Sequence, residues 1–364
     1  MAGPIWALGL MSGTSMDGID GAALLTDGEG IQGFGPKRFE AYAPEVRATL
    51  AAAQGLWPGA PRVEAAAAVV DAAHREMVTY FPTTEVIGSH GQTLAHDPTG
   101  QRSHQVGDGA ALAAAVGKTV VWDFRSADLL SGGEGAPLVP FFHHACARML
   151  GLDEVVAFVN IGGVANVTWV DPLVARPDAP GGVLAFDTGP GNALIDDLMA
   201  DRLGQARDEG GAVASGGAVD ETVVAAVMAD PFFERVPPKS LDRNHFAWVL
   251  ERVAGLEVAD AAATLSAVTA ASIAAAVRHM PEPPARWLVG GGGRHNGTIM
   301  RMIGTRTNAR VEPVEAVGLD GDFLEAQAFA YLAARVLRGL PTSGPSTTGA
   351  RLPVSGGRVT QPEV

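Results

Sequence analysis

The stretch Gly9-Leu-Met-Ser-Gly-Thr-Ser-Met-Asp-Gly-Ile-Asp20 joins an apolar run, Ile5 to Met11, to small turn-forming residues with two carboxylates planted among them. Apolar residues resume at Ala22 to Leu25, so the pattern reads strand, turn, strand and not a loop feeding a helix. Gly9, Gly13 and Gly18 let backbone approach an anion closely, and Thr14 and Ser15 add hydroxyl donors. Asp17 or Asp20 could hold a magnesium ion, partly through water, or merely hydrogen-bond the hairpin. The candidate phosphate-binding turn is thus Gly13, Thr14, Ser15, Met16, Asp17, Gly18, Ile19 and Asp20. Taken alone, an ordinary glycine-rich hairpin reads equally well.

Outward from this hairpin, Glu45 to Thr79 is alanine-rich and helical, interrupted at Trp57-Pro-Gly-Ala-Pro61. Glu85-Val-Ile-Gly-Ser-His-Gly91 reads as a short strand ending in a turn, and Thr119-Val-Val-Trp-Asp123 as another strand. Ser131 to Pro140, rich in glycine and proline, is the best linker candidate. Glu154 to Val170 is then a second strand, glycine turn and strand, with Asn160, Gly162 and Gly163 at its turn, and this echo suggests duplicated halves. Val183 to Asn192 is a strand running into a turn, with a helix from Ala193. Arg286 to Arg294 is a strand with a glycine loop, Gly290, Gly291 and Gly292, and a last helix covers Asp322 to Leu337. The tail from Pro341 is expected along the surface.

Composition narrows the function classes. A chain of 364 residues exceeds what one core fills, so two lobes with a cleft between them are expected. A formal charge of -14, from 26 basic and 40 acidic residues with no dense basic run, argues against nucleic-acid or membrane-surface partners. The single cysteine, Cys146, reads as a small buried residue and fits a reducing cytoplasm. The amino terminus lacks the basic start and length of a secretory leader. Ala261 to Val277 is too broken by hydroxyls for a bilayer span and reads as a buried helix capped by Asp260.

Familiar motifs fail in useful ways. Gly117-Lys118-Thr119 looks like the end of a P-loop, but Leu112 stands where glycine is required. Gly28-Glu-Gly-Ile-Gln-Gly33 matches a dinucleotide pattern, yet Gly35-Pro36 blocks the helix that should follow, so it reads as a hairpin turn. His90, His96, His104, His143 and His144 lack cysteine partners and the i, i+4 spacing of a metal helix. What remains is three glycine turns at strand ends, Ser12 to Asp20, Asn160 to Gly163 and Gly290 to Gly293, with Asp187 among them, and together they describe a nucleotide clamp.

That order resembles the superfamily of acetate and sugar kinases, chaperone ATPases and actin. More narrowly, Met11 to Asp20, Ser89-His-Gly-Gln-Thr93, Trp122 to Asp128, Asn160 to Asn166, Phe186-Asp-Thr-Gly-Pro-Gly-Asn192 and Glu325-Ala-Gln-Ala-Phe329 are similar to the motifs of the anhydro-N-acetylmuramic acid kinases. The resemblance implies a two-lobed actin-like α/β fold with an interlobe cleft. Residues 1–130 would form the first lobe, with the helix from about 322 packing back on it, 131–321 the second, and 341–364 a surface tail. It implies ATP and magnesium, a homodimer in the cytoplasm, and a reaction in which water opens a 1,6-anhydro sugar while O6 is phosphorylated. Asp187 matches the family's base and Glu325 a second substrate-side carboxylate, with His90, Gln92, Thr93, Arg125 and Asn192 lining the sugar pocket. For Glu325 a solvated helix cap, for His90 a structural turn, and for Arg125 a salt bridge to Asp128 are the ordinary explanations. Two rivals remain: another small-molecule kinase of this superfamily, which would leave solvent oxygen out of its product, and a nucleotide-switched regulatory ATPase, which would turn over ATP without a phosphorylated sugar.

Overall fold

A computed structural model describes residues 3–362 and divides the chain into two compact α/β units. Unit 1 comprises Met1–Gly151, Arg176–Asp178 and Phe323–Val364; unit 2 comprises Leu152–Ala175 and Ala179–Asp322.

In unit 1 the strands are β1 (Ile5–Ser12), β2 (Gly18–Thr26), β3 (Ile31–Ala41), β4 (Val86–Asp97), β5 (Arg102–Val106), β6 (Thr119–Trp122) and β12 (Arg358–Thr360). They are ordered β12-β6-β4-β1-β2-β3, with β5 paired to β4. In unit 2 they are β7 (Val156–Ile161), β8 (Val164–Val170), β9 (Val183–Pro190), β10 (Arg286–Gly290) and β11 (Arg310–Pro313), ordered β11-β10-β7-β8-β9. The two sheets repeat one plan. An antiparallel meander, β1-β2-β3 or β7-β8-β9, is extended from its first strand by two parallel strands, β4 and β6 or β10 and β11. The fold is therefore the duplicated, two-lobed actin-like α/β class.

Local chemistry explains the ordering. Central strands such as β1 and β7 are buried on both faces and read as nearly continuous apolar runs. The edge strand β3 carries Pro36, Lys37 and Arg38, which blunt an open edge. Prolines stand at the start of the Pro44–Ala53, Pro61–Thr79 and Pro140–Met149 helices, where a missing N–H costs nothing. The Gly28 to Gly33 segment is the β2–β3 turn, as its sequence indicates. Lys118 donates to the carbonyls of Phe81, Pro82 and Thr84, an anchoring role with no phosphate in it.

The Leu324–Leu337 helix packs on β1, β2 and β4 of unit 1. Its approach is so close that a Cβ on Gly9 would lie 1.7 Å from the Ala326 carbonyl oxygen, and one on Gly88 would lie 2.1 Å from that of Phe329. Gly9 thus serves helix packing and is not available to an anion. In unit 2 the helical stretch Val258–His279 passes by length and apolar composition for a membrane span, yet Ala261 to Ile273 of its Val258–Ala275 helix are buried in the core formed with Phe186, Phe233, Phe246 and Trp287. Its N-cap is Glu257, and Asp260 instead accepts the Ala218 N–H at 2.7 Å, so the expected cap is displaced by a tertiary bond.

Three further expectations are corrected. Residues 131–151 belong to unit 1, so the division falls at Gly151 and not near residue 130. The glycine- and proline-rich stretch is gripped by Asp128, which is fully buried and accepts the Gly135 N–H at 2.8 Å. The segment expected as a surface tail is woven into unit 1: Ser343 and Thr348 donate to the same carboxylate, and β12 pairs with β6. Last, the strand from residue 85 does not stop at Gly91 but continues to Asp97 and forms a hairpin with β5.

Candidate active site

The candidate residues of unit 1 gather where the parallel pairing of β1, β4 and β6 ends, at Ser12 opposite Gln92. The β1–β2 turn leaves Thr14, Ser15 and Asp17 exposed, and a Cβ on Gly13 would meet only Ser15 Oγ, at 3.5 Å. Met16 takes a left-handed φ of 53° and its N–H closes the turn on the Gly13 carbonyl at 3.1 Å. Ser15 Oγ donates to Asp17 Oδ1 at 2.6 Å. Gly18 and Ile19 serve the fold: a Cβ at Gly18 would strike Phe39 and the Glu40 carbonyl, and the Ile19 side chain is in the core. Asp20 lies opposite Met11 in the β1–β2 ladder.

Behind the turn, Ser12 Oγ donates to Gln92 Oε1 at 2.6 Å, so the 2.8 Å contact between Ser12 and Tyr42 must be donated by the phenol. Burial together with the charges of Asp20 and Asp17 pushes the Tyr42 pKa up, which keeps that proton in place. Gln92 is fully buried in this link and does not reach a ligand surface. It ties the end of β1, where the β1–β2 turn begins, to β4.

That strand presents His90. Arg125 Nη2 lies 2.8 Å from His90 Nε2, and a guanidinium can only donate, so Nε2 accepts and Nδ1 carries the proton given to the Gly91 carbonyl at 2.9 Å. Burial, with the neighbouring Arg125 charge, holds the His90 pKa well below its ordinary value. The ring packs on Phe329, 4.6 Å between centroids. Arg125 also donates from Nη1 to the Gly135 carbonyl at 2.6 Å, while its Nε is buried without a protein partner. Burial brings the Arg125 pKa down to about 10, opposed by the charges of Glu325 and Asp128. The salt bridge expected with Asp128 is not what orients it, because Asp128 is occupied by Gly135, Ser343 and Thr348. Glu325, in the first turn of the Leu324–Leu337 helix, keeps solvent access, and desolvation raises its carboxyl pKa against the opposing pull of Arg125. Thr93 is half-buried and accepts from Gln105 Nε2 at 3.2 Å.

In unit 2 the corresponding strand ends converge as well. Asp187, Asn166, Asn160 and Gly290 occupy one row of the sheet, paired across β9, β8, β7 and β10. Paired positions present side chains to one face, and the three polar ones are only half-buried in an otherwise sequestered sheet. The Asp187 backbone N–H donates to the Lys239 carbonyl at 3.0 Å, and the Leu241 N–H donates to Asp187 Oδ2 at 2.8 Å. Gly162 and Gly163 accept from the backbone of Asn192, Gly191 and Ala193, which locks the β7–β8 turn to the start of the Ala193–Leu203 helix. Asn192 Nδ2 donates to the Ile161 carbonyl at 3.1 Å. Gly291 has a φ of 69°, and a Cβ there would meet Asn160 Oδ1 at 2.3 Å. Gly292 is exposed, a Cβ there would meet only Asn192 Nδ2 at 3.7 Å, and the buried Arg294 steadies the loop by donating to the Gly291 carbonyl at 3.0 Å.

Comparison with known proteins decides between the rivals. The family model described as anhydro-N-acetylmuramic acid kinase matches residues 6–362. Proteins named anhydro-N-acetylmuramic acid kinase from Cereibacter sphaeroides, a Ruegeria species and Rhodospirillum rubrum are 58%, 57% and 50% identical to this chain. These matches cover 99%, 100% and 98% of the chain and 97%, 96% and 94% of those proteins. The chain belongs to the anhydro-N-acetylmuramic acid kinase family.

In this family member His90, Arg125 and Glu325 come together in unit 1, while Asp187, Asn192 and the glycines of the β7–β8 and β10 turns come together in unit 2. Sequence reasoning passed over Ser12, Asn166, Lys239 and Arg294. Ser12 and Asn166 stand inside the quoted motifs, and an interruption of apolar alternation by a polar residue marks both. Lys239 follows a Pro-Pro pair in a loop, where nothing local distinguishes it.

Proposed function

We propose that this kinase adds water across the 1,6-anhydro bridge of anhydro-N-acetylmuramic acid and phosphorylates O6 from ATP, yielding N-acetylmuramic acid 6-phosphate for cell-wall sugar recycling. Asp187 takes a proton from water, whose oxygen bonds to the anomeric carbon. The bond from that carbon to the bridging oxygen breaks, and the released O6 attacks the γ-phosphoryl group, with ADP departing. Coupling is favourable because an alkoxide is a poor leaving group unless its charge is captured as it forms. The observation that carries the reading is the family match together with Asp187, a half-buried carboxylate in the carboxyl half of β9 that accepts a backbone N–H.

Arg125 in unit 1 has a buried, unpartnered Nε and so suits recognition of a sugar-borne carboxylate or oxygen, with His90 setting its tilt. Glu325 orients water or a sugar hydroxyl. Gly13 to Ser15, and Gly162, Gly163 and Gly292, where an added Cβ would meet nothing closer than 3.6 Å, suit phosphate and adenosine. No group of three or more His, Cys, Asp or Glu side chains able to hold a metal occurs among the described residues. Asp17, exposed on the β1–β2 turn, and the half-buried Asp20 would meet a magnesium ion brought by the phosphates through its water shell. When bound, it would spread the charge of the transferring phosphoryl group. A homodimer working in the cytoplasm completes the reading.

Asp187→Asn should lower sugar phosphorylation by about 100-fold or more while ATP binding changes little, since the carboxylate handles a proton and not phosphate. Heavy-isotope water supplies the second measurement: label is expected at the anomeric carbon of the product. Wild-type turnover in the variant would remove the base assignment, and unlabelled product would favour a kinase with an ordinary hydroxyl acceptor.

A further inference from the structure

Lys239 is a charged residue in an apolar setting. It is 4% exposed, its Nζ donates to the Phe232 carbonyl at 3.0 Å, and it sits 4.4 Å from the Phe232 ring and 5.8 Å from that of Phe186. Phe186 immediately precedes Asp187 on β9, and Phe232 belongs to a short turn, Pro231–Glu234, packed in the unit 2 core. One ammonium therefore joins the strand bearing Asp187, the turn at Phe232 and its own loop. That loop supplies both backbone bonds to Asp187, the Lys239 carbonyl and the Leu241 N–H.

We propose that Lys239 is a positioning residue for the base: its buried ammonium pins residues 239–241 so that the Leu241 N–H holds Asp187 Oδ2 in the orientation needed for proton abstraction. This rests on the assignment of Asp187 above. A leucine or methionine would fill such an aromatic niche more cheaply, because an ammonium there must shed water for a single carbonyl and ring faces. The charge also couples the loop to pH. Burial lowers the Lys239 pKa to about 8, Arg235 and Arg278 push the same way, and Glu234 and Asp187 oppose them. His279 packs 5.8 Å from the Phe186 ring and His245 6.2 Å from the Phe232 ring, centroid to centroid. Loss of the proton would remove the pull on the rings and weaken the bond to the Phe232 carbonyl, so the loop loosens as pH rises through that value.

The test compares Lys239→Met, Lys239→Arg and Asp187→Asn in the full-length protein. Lys239→Met should reduce kcat by roughly 10- to 100-fold, the penalty of a slightly misplaced group, with KM for ATP within about twofold of wild type. Hydrogen exchange at the Leu241 amide should accelerate in the same variant. The wild-type rate should decline on the alkaline side near pH 8, and Lys239→Arg should recover activity and move that decline upward, since a guanidinium keeps its proton. Wild-type kcat in Lys239→Met, with Asp187→Asn inactive, overturns the inference and leaves the base reading intact. Activity in Asp187→Asn overturns both. If Lys239→Met does not fold, Lys239→Arg decides: an alkaline limb unchanged from wild type sinks the proposal.

Discussion

Glu325 and Arg125 show why residue identity and residue role separate. From the sequence a glutamate in a helix's first turn is an ordinary cap, whereas the fold brings it into the field of a buried guanidinium. Its raised pKa means that between the ordinary glutamate value and the folded value the native protein holds a proton the unfolded chain has released. Its contribution to stability is therefore fully present below the ordinary value and lost as pH rises through the folded one. Solvent access moderates the effect. Glu325→Gln should accordingly melt higher than wild type at pH 7, with the gap narrowing at pH 4. The variant should also lose sugar turnover, together with an acid limb displaced above the ordinary carboxylate range. Differential scanning calorimetry and a pH–rate series check both; an equal gap at the two pH values would show that the carboxyl is not desolvated. The His90 tautomer, fixed by Arg125, was likewise invisible in sequence because it depends on a donor 35 residues away.

At the scale of elements, much was readable. The β1–β2 and β7–β8 hairpins, the turn at Gly28, the paired helices around Trp57 and the strand before Gly290 all follow from apolar runs broken by turn residues. The β4–β5 hairpin was not, because Arg102-Ser-His-Gln-Val106 has no apolar alternation and is held by pairing with β4 and by tertiary contacts such as His104 to the Leu56 carbonyl. Gly9 and Gly88 give a second example. The sequence reads Gly9 as serving an anion and Gly88 as part of a strand, but the demand for glycine at both comes from the Leu324–Leu337 helix lying on the sheet. Gly88→Ala should destabilise unit 1 by about 1–3 kcal/mol through overpacking, measured by urea denaturation. A loss under a few tenths of that range would mean that helix and strand can move apart freely.

For the whole molecule, two units with separate cores make a divided response to mutation the natural expectation. Asp128 is the test. Its carboxylate holds the Gly135 amide and the hydroxyls of Ser343 and Thr348, more than 200 residues away, closing unit 1 around its own last segment. Thr348→Val keeps the shape but removes one donor from a buried charge, and should cost about 1–3 kcal/mol. Hydrogen exchange should quicken in β6, β12 and residues 126–135 while β7 to β10 keep their protection; uniform loosening of both sheets would contradict it. The sequence by itself determined the strand-turn-strand units, their duplication and the family, because turn chemistry and apolar periodicity act over a few neighbouring residues. Only the tertiary structure decided that residues 131–151 and 341–362 close the first unit, that Gln92 is internal, and that Lys239 reaches the strand bearing Asp187. Those outcomes depend on burial and on bonds between distant residues, which no local pattern encodes.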